Sequence, residues 1–154
     1  MKLELVSWSE EGLDVLRRAN TAEMTAYLGG PESPAKLADR HARYLREQDM
    51  FQVRVDGEAA GVIGFWDVGE HYEAGWHVLP EFQGRGVAVA ATRAVVDRAR
   101  AAGAHPHLHA YPRVDNTASN AVCRKAGFTL LGEIDAEYPP GNPIRCNDWS
   151  VDLR

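Results

Sequence analysis

Val78-Leu79-Pro80-Glu81-Phe82-Gln83-Gly84-Arg85-Gly86-Val87-Ala88 is the stretch on which the reading of this chain turns. Before it, Tyr72 to Val78 reads as a strand that Pro80 stops, since proline cannot donate to a ladder. After it, a helix is predicted from about Gly86 to Ala102, closed by Gly103. On that helix Arg93, Asp97 and Arg100 form a polar stripe opposite Val89, Val95, Val96 and Ala99. The stretch is therefore a strand-to-helix junction. Gly84 and Gly86 remove side chains where a ligand approaches the backbone. Successive N–H groups with a helix dipole behind them make an anion site suited to a phosphate or pyrophosphate. Arg85 adds a fixed positive charge, and Gln83 can donate through its amide. The Gly-Lys-Ser/Thr ending of a Walker A loop is missing, and so are the three spaced glycines of the dinucleotide fingerprint. Taken alone, the two glycines also suit a plain turn.

Working outward, Leu3, Leu5 and Ser7 alternate with Glu4, Val6 and Trp8 as in a first strand. Ser9 reads as the cap of a helix running to about Asn20, and a second helical stretch is predicted over Ala22 to Leu28, broken by Gly29-Gly30-Pro31. Ser33 and Pro34 open a third, with Leu37, His41, Tyr44 and Leu45 at helical spacing. Phe51, Val53 and Val55 then alternate up to the hairpin signal Asp56-Gly57, and Val62 to Val68 and Tyr72 to Val78 complete an antiparallel meander. Further on come a strand at His107 to Tyr111, a helix from Asp115-Asn116-Thr117 to Gly127, and strands at Phe128 to Ile134 and Asn147 to Leu153. This order predicts an α+β layered domain.

The bulk numbers narrow the classes. A chain of 154 residues, 45% hydrophobic and 25% charged, is expected to be one globular domain spanning 1–154. A formal net charge of -5 disfavours a general nucleic-acid binder. Cys123 and Cys146 do not make a disulfide framework. The residues after Met1 lack a signal-type apolar core, and no stretch reaches the length of a membrane span. The expected setting is the reducing cytoplasm, with no membrane partner.

Two segments together resemble the GNAT superfamily of N-acetyltransferases. The family signature Gln/Arg-x-x-Gly-x-Gly/Ala is met by Gln83, Gly86 and Ala88, and Leu79-Pro80-Glu81-Phe82 is similar to the family's lead-in. Asn116-Thr117-Ala118-Ser119, continuing to Gly127-Phe128, resembles the family's Asn-x-x-Ala/Ser helix ending in Gly-Phe. The nearest branch is similar to the ribosomal-protein N-terminal acetyltransferases and many small-amine enzymes. The resemblance implies a mostly antiparallel sheet of about seven strands, splayed between the fourth and fifth, with helices on both faces. It implies acetyl-coenzyme A as co-substrate, a primary amine as acceptor, direct attack in a ternary complex and, often, a homodimer. It places the pyrophosphate on the amides of Gly84, Arg85, Gly86, Val87, Ala88 and Val89. The pantetheine arm pairs like an added strand along Trp76, His77 and Val78, and the acetyl carbonyl lies in the splay near Tyr111.

Asn116, Ser119 and Cys123 share one helical face. Ser119 resembles a family serine that bonds the cofactor, whereas Asn116 reads equally well as an N-cap. Cys123 stands where many family members carry the tyrosine that protonates the departing thiolate. A free cysteine beside a core is more often a small buried hydrophobe, which leaves water or Tyr111 as the acid. Glu73-Ala74-Gly75 is similar to a Glu-x-Gly pattern of related sequences, making Glu73 the candidate base through a water, with His77 the second choice. A sheet-edge glutamate is the plain alternative. His105, His107 and His109 alternate on one face without a cysteine or carboxylate cluster, so core or pocket roles are expected of them and no metal. The first two helices with their loop, Asn20 to Ser33, and the strand pair after Gly127 are expected to form the acceptor pocket; Met24, Tyr27, Trp66, Tyr138 and Trp149 are candidates to line it, although such residues more often belong to the core. The departure at Cys123 also motivates a second reading, an acyl-coenzyme A-binding module without turnover.

Overall fold

Asp56 and Gly57 both adopt positive φ, 51° and 84°, as a two-residue hairpin turn requires. They join β2 (Met50–Val55) to β3 (Glu58–Asp67) in a computed structural model that describes residues 1–154. The other strands are β1 (Leu3–Ser7), β4 (Tyr72–Val78), β5 (His107–Ala110), β6 (Thr129–Glu137) and β7 (Pro143–Asp152). All seven form one sheet in the order β1-β2-β3-β4-β5-β7-β6. Every pairing is antiparallel except β4 with β5. The helices are α1 (Gly12–Ala19), α2 (Pro34–Arg46), α3 (Val87–Ala102) and α4 (Thr117–Lys125). This is the splayed α+β sheet that the order of predicted elements and the family resemblance led us to expect.

Register sorts the faces of the meander. Phe51, Ile63 and Trp76 are in one row, and Arg98 of α3 lies over the Phe51 ring at 4.5 Å. That face packs on α3, which buries Val87, Ala91, Val95, Val96 and Ala99. Each buried valine among them contributes roughly 1.5–3 kcal/mol. The intervening residues Val62, Trp66, Glu73, Gly75 and His77 turn to the opposite face, toward α1 and α2.

Two local readings are corrected. Residues 21–30 form a series of turns and no helix. Thr21 Oγ1 accepts from Met24 N–H and Thr25 N–H reaches the Thr21 carbonyl, but the bonds that follow, Ala26 to Glu23 and Leu28 to Thr25, span three residues, so the turns do not propagate as an α-helix. Gly29 and Gly30, at φ 92° and 94°, then turn the chain away. Ser9 does not cap α1; Glu11 occupies that position without a side-chain cap, whereas Ser33 caps α2 as predicted, accepting from Lys36 N–H at 3.2 Å.

α1 begins at Gly12 because Trp8 lies against it. The Trp8 indole is buried, donates to His41 Nδ1 at 3.0 Å and meets Tyr44 edge-on at 5.3 Å. A Cβ on Gly12 would fall 2.3 Å from Trp8 Cε2. Helix propensity alone would make Gly12→Ala stabilising by about 1 kcal/mol. The clash reverses the sign: denaturant unfolding is expected to show a loss of about 1–3 kcal/mol.

Candidate functional site

The parallel pairing of β4 with β5 covers only Tyr72 with Leu108 and Glu73 with His109. Beyond Glu73 the strands part. Leu79 N–H donates to the Ala60 carbonyl, on the β3 side, so alternation turns the backbone groups of Trp76 and Val78 toward the gap. These groups have no strand partner there, which is the open edge an extended ligand arm needs.

The edge leads to the glycine loop. Pro80–Phe82 makes one 3-10 turn, and Gly84 and Gly86 follow at φ 75° and 76°. A Cβ on either would meet no protein atom within 4 Å, so backbone conformation and not crowding selects glycine. Gly86 is the N-cap of α3 and supplies no capping side chain. The first N–H groups of a 16-residue helix are therefore left open to an anion. Arg85 lies over the Phe82 ring at 5.3 Å, with its side chain exposed beside the loop. Gln83 differs from expectation: its amide donates to the Val78 carbonyl at 2.9 Å and lies 3.5 Å from Met24 Sδ. It ties the loop to the end of β4, so its amide is already engaged.

Helix α4 closes the other side. Asn116 is its N-cap, accepting from Ser119 N–H at 3.2 Å, while Ser119 stays half-buried on the wall of the gap with its hydroxyl unbonded to protein. Cys123 is 0% exposed and faces the core, and burial pushes its thiol up to about 12. It lies outside the cavity wall, which counts against the acid role weighed for it. The sequence reading overlooked Asn120. It is buried; its amide donates to the carbonyls of Arg113 and Asn116, and its Oδ1 accepts from Asn147 Nδ2 and Trp149 Nε1, each at 2.8 Å. Trp149 is thus committed to the core and does not line the acceptor pocket.

One cavity of about 620 Å³ runs from the gap to α1 and α2, within the usual range of small-molecule sites. Its walls include Met24, Tyr27, Trp66, Glu73, Tyr111 and Tyr138. An acetyltransferase (GNAT) domain model matches residues 2–129. The chain belongs to the GNAT family. Among relatives it is similar to spermidine N(1)-acetyltransferase of Escherichia coli K12, with 27% identity over 112 residues, covering 70% of this chain and 60% of that protein. The chain thus spans less than two thirds of the length of that relative. A crystal structure of the Microcin C7 self immunity acetyltransferase with acetyl-CoA and AMP superposes with a TM-score of 0.82 at 18% identity, covering 98% of this chain and 92% of that one. The apo ribosomal L7/L12 alpha-N-protein acetyltransferase does so with 0.82 at 25%, covering 99% and 91%, in line with the branch expected.

In this GNAT domain the apex of the splay is polar. Burial raises the Glu73 carboxyl above its ordinary range, against the opposing hydrogen bond of the Trp66 side chain. Tyr111 is pushed up to about 12, first by burial and then by Asp148 and Glu73. Its hydroxyl lies 2.8 Å from His71 Nε2, a partner the sequence reading missed although His71 shares the strand parity of Glu73. His77 is held down to about 4, by burial and then by Arg40, and its Nε2 is buried without a partner. So weak a base does not suit the deprotonating role weighed for it. Arg40 itself is held by Glu32 at 2.7 and 2.9 Å and by the hydroxyls of Tyr44 and Tyr138. The three alternating histidines each adjoin a different aspartate, His107 standing opposite Asp152 in the β5–β7 register. His105 lies 2.8 Å from Asp67 and His109 2.7 Å from Asp148. No three His, Cys, Asp or Glu side chains are arranged to hold a metal ion.

Glu73 gives a stability prediction. Its folded pKa lies above the ordinary 4.5, so the native state holds the extra proton just above that pH. The group's favourable contribution is present at acid pH and lost as pH rises through the folded value. Glu73→Gln mimics the protonated form. Thermal unfolding is expected to show the variant more stable than the parent at neutral pH, and the difference to vanish at about pH 4.

Proposed function

We propose that the protein transfers acetyl from acetyl-coenzyme A to a primary amine by direct attack in a ternary complex. One observation carries the reading. The open amides of Gly84–Val89 follow closely on a strand end where Trp76 and the Val78 N–H have no partner strand, and the cavity beside that strand is lined by Trp76, His77, Glu73 and Tyr111. The amides and Arg85 receive the pyrophosphate, Ser119 bonds the cofactor, and the strand edge aligns the arm. The Val78 N–H polarises the thioester carbonyl in a partly dry site, and positioning supplies much of the rate.

Glu73 is the base. An alkylamine of pKa about 10 arrives charged, and a carboxylate raised by burial is better matched to its proton than an ordinary one. Tyr111 supplies the proton to the leaving thiolate. A binding module without turnover has no use for proton-handling groups at the acetyl end of the gap. The acceptor end is walled by Met24, Tyr27 and Leu28 on one side and by Ile134, Tyr138 and Ile144 on the other. The likeness to a spermidine acetyltransferase puts small aliphatic amines first among candidate acceptors. The same reading places the protein in the cytoplasm, as a homodimer. No helix is long and apolar enough to cross a membrane.

Titration calorimetry is expected to show acetyl-coenzyme A binding; its absence from pure protein would end the proposal. Gly86→Ala, straining a left-handed position by about 1–2 kcal/mol, is expected to weaken that binding by about 10-fold. Thiol release against spermidine, lysine, a short peptide and an amine antibiotic tests turnover. In that assay Cys123→Ala is expected to retain kcat. A fall on the order of 10²–10⁴-fold, the worth of a general acid, would restore the residue to that role.

A further inference from the structure

His71 sits in the turn before β4, half-buried, and no motif singles it out. Three contacts define its surroundings. Tyr111 Oη lies 2.8 Å from its Nε2. The His109 ring lies 4.0 Å away, tilted by 38°, and is held from behind by Asp148 at 2.7 Å. Glu70 adjoins it in the chain, Asp148 and His105 lie close enough to act on it, and Glu73 acts on the Tyr111 end of the cluster. The Tyr111 ring also stacks on His109 at 5.7 Å. The cluster thus runs from the acetyl end of the cavity to the turn that precedes β4.

We infer that His71 is a proton relay acting through Tyr111, a positioning residue for the acetyl transfer proposed above. The chemistry asks for one. Tyr111, at about 12, is a poor donor to a thiolate whose conjugate thiol titrates at about 8.5 if a phenolate must be left behind. A second proton delivered in the same step removes that phenolate. The ammonium first gives one proton to Glu73, which passes it to water; the freed nitrogen bonds the acetyl carbon, its second proton passes to the emptied Glu73, and the carbon–sulfur bond breaks. The thiolate takes the Tyr111 hydroxyl proton, and Tyr111 takes the Nε2 proton of His71. His71 Nδ1 takes a proton from water, and Glu73 returns one to water. The relay needs a neutral ring, and burial, with His109 next, keeps His71 below its ordinary range.

The inference rests on the acetyl-transfer reading, and the experiment separates the two. Steady-state kinetics use the amine of the four-compound panel that releases thiol fastest. His71→Phe loses the hydrogen bond. His71→Gln keeps an N–H for the Tyr111 hydroxyl but cannot take a proton at one end and release it at the other. Both are expected to lower kcat by about 10–100-fold, with the KM and calorimetric Kd for acetyl-coenzyme A unchanged. Adding Tyr111→Phe to His71→Gln is expected to cost little more than Tyr111→Phe alone, since the two act in series. Full kcat in His71→Gln, or additive losses in the double variant, overturns the relay while leaving acetyl transfer intact. A parent protein that turns over no amine overturns both.

Discussion

Everything at this site follows from one brief pairing. Two residues of β4, Tyr72 and Glu73, hold β5 in parallel, and then the sheet opens. A parallel ladder cannot simply fade inside a protein core, because unpaired backbone groups there cost as much as lost hydrogen bonds. Here they face a cavity instead. Asn120 acts as the wedge on the far side, joining the start of α4 to β7 through Asn147 and Trp149. With α4 fixed there and α3 fixed by its buried valines, the gap is a built feature of the sheet. An arm that docks in it meets groups already in place, and little ordering is charged against binding.

The same opening sets the electrostatics. Glu73 and Tyr111 both shift upward because they sit where the sheet admits little water, and His71 shifts downward for that reason too. In each case burial is the first cause, because it disfavours the charged form of the group. Charge that develops during the proposed acyl transfer is then felt strongly, as it is in any poorly screened pocket. Arg40 lies farther out, neutralised by Glu32, and shapes the wall without adding a free cation to it.

Much of this was legible in the sequence where the cause is local. The Asp56-Gly57 turn, the Ser33 cap and the glycines before α3 each answer to their own backbone, and all stand where their residues predict. The splay itself came from family resemblance, since nothing in the strand alternation says where a ladder stops. Readings failed where a competing partner decides. The helix expected over Ala22 to Leu28 stops at its first turn, where the ladder shortens to three-residue bonds after Thr25. Gln83 looks free for a ligand until Val78 is found beside it. Asn120 and Asp148 act through residues 27 to 39 positions away, beyond any periodicity.

The loop before α3 offers ligands main chain only. Gly84 and Gly86 have no side chain to exchange, and their left-handed geometry resists any replacement. Mutation there can abolish recognition but has little means of adjusting it. The far end of the cavity is the reverse case. Its walls are side chains drawn from a run of turns and from a hairpin, and each can change size or polarity while the sheet stays as it is. Donor choice and acceptor choice are therefore separable, one held constant by backbone and the other free to drift.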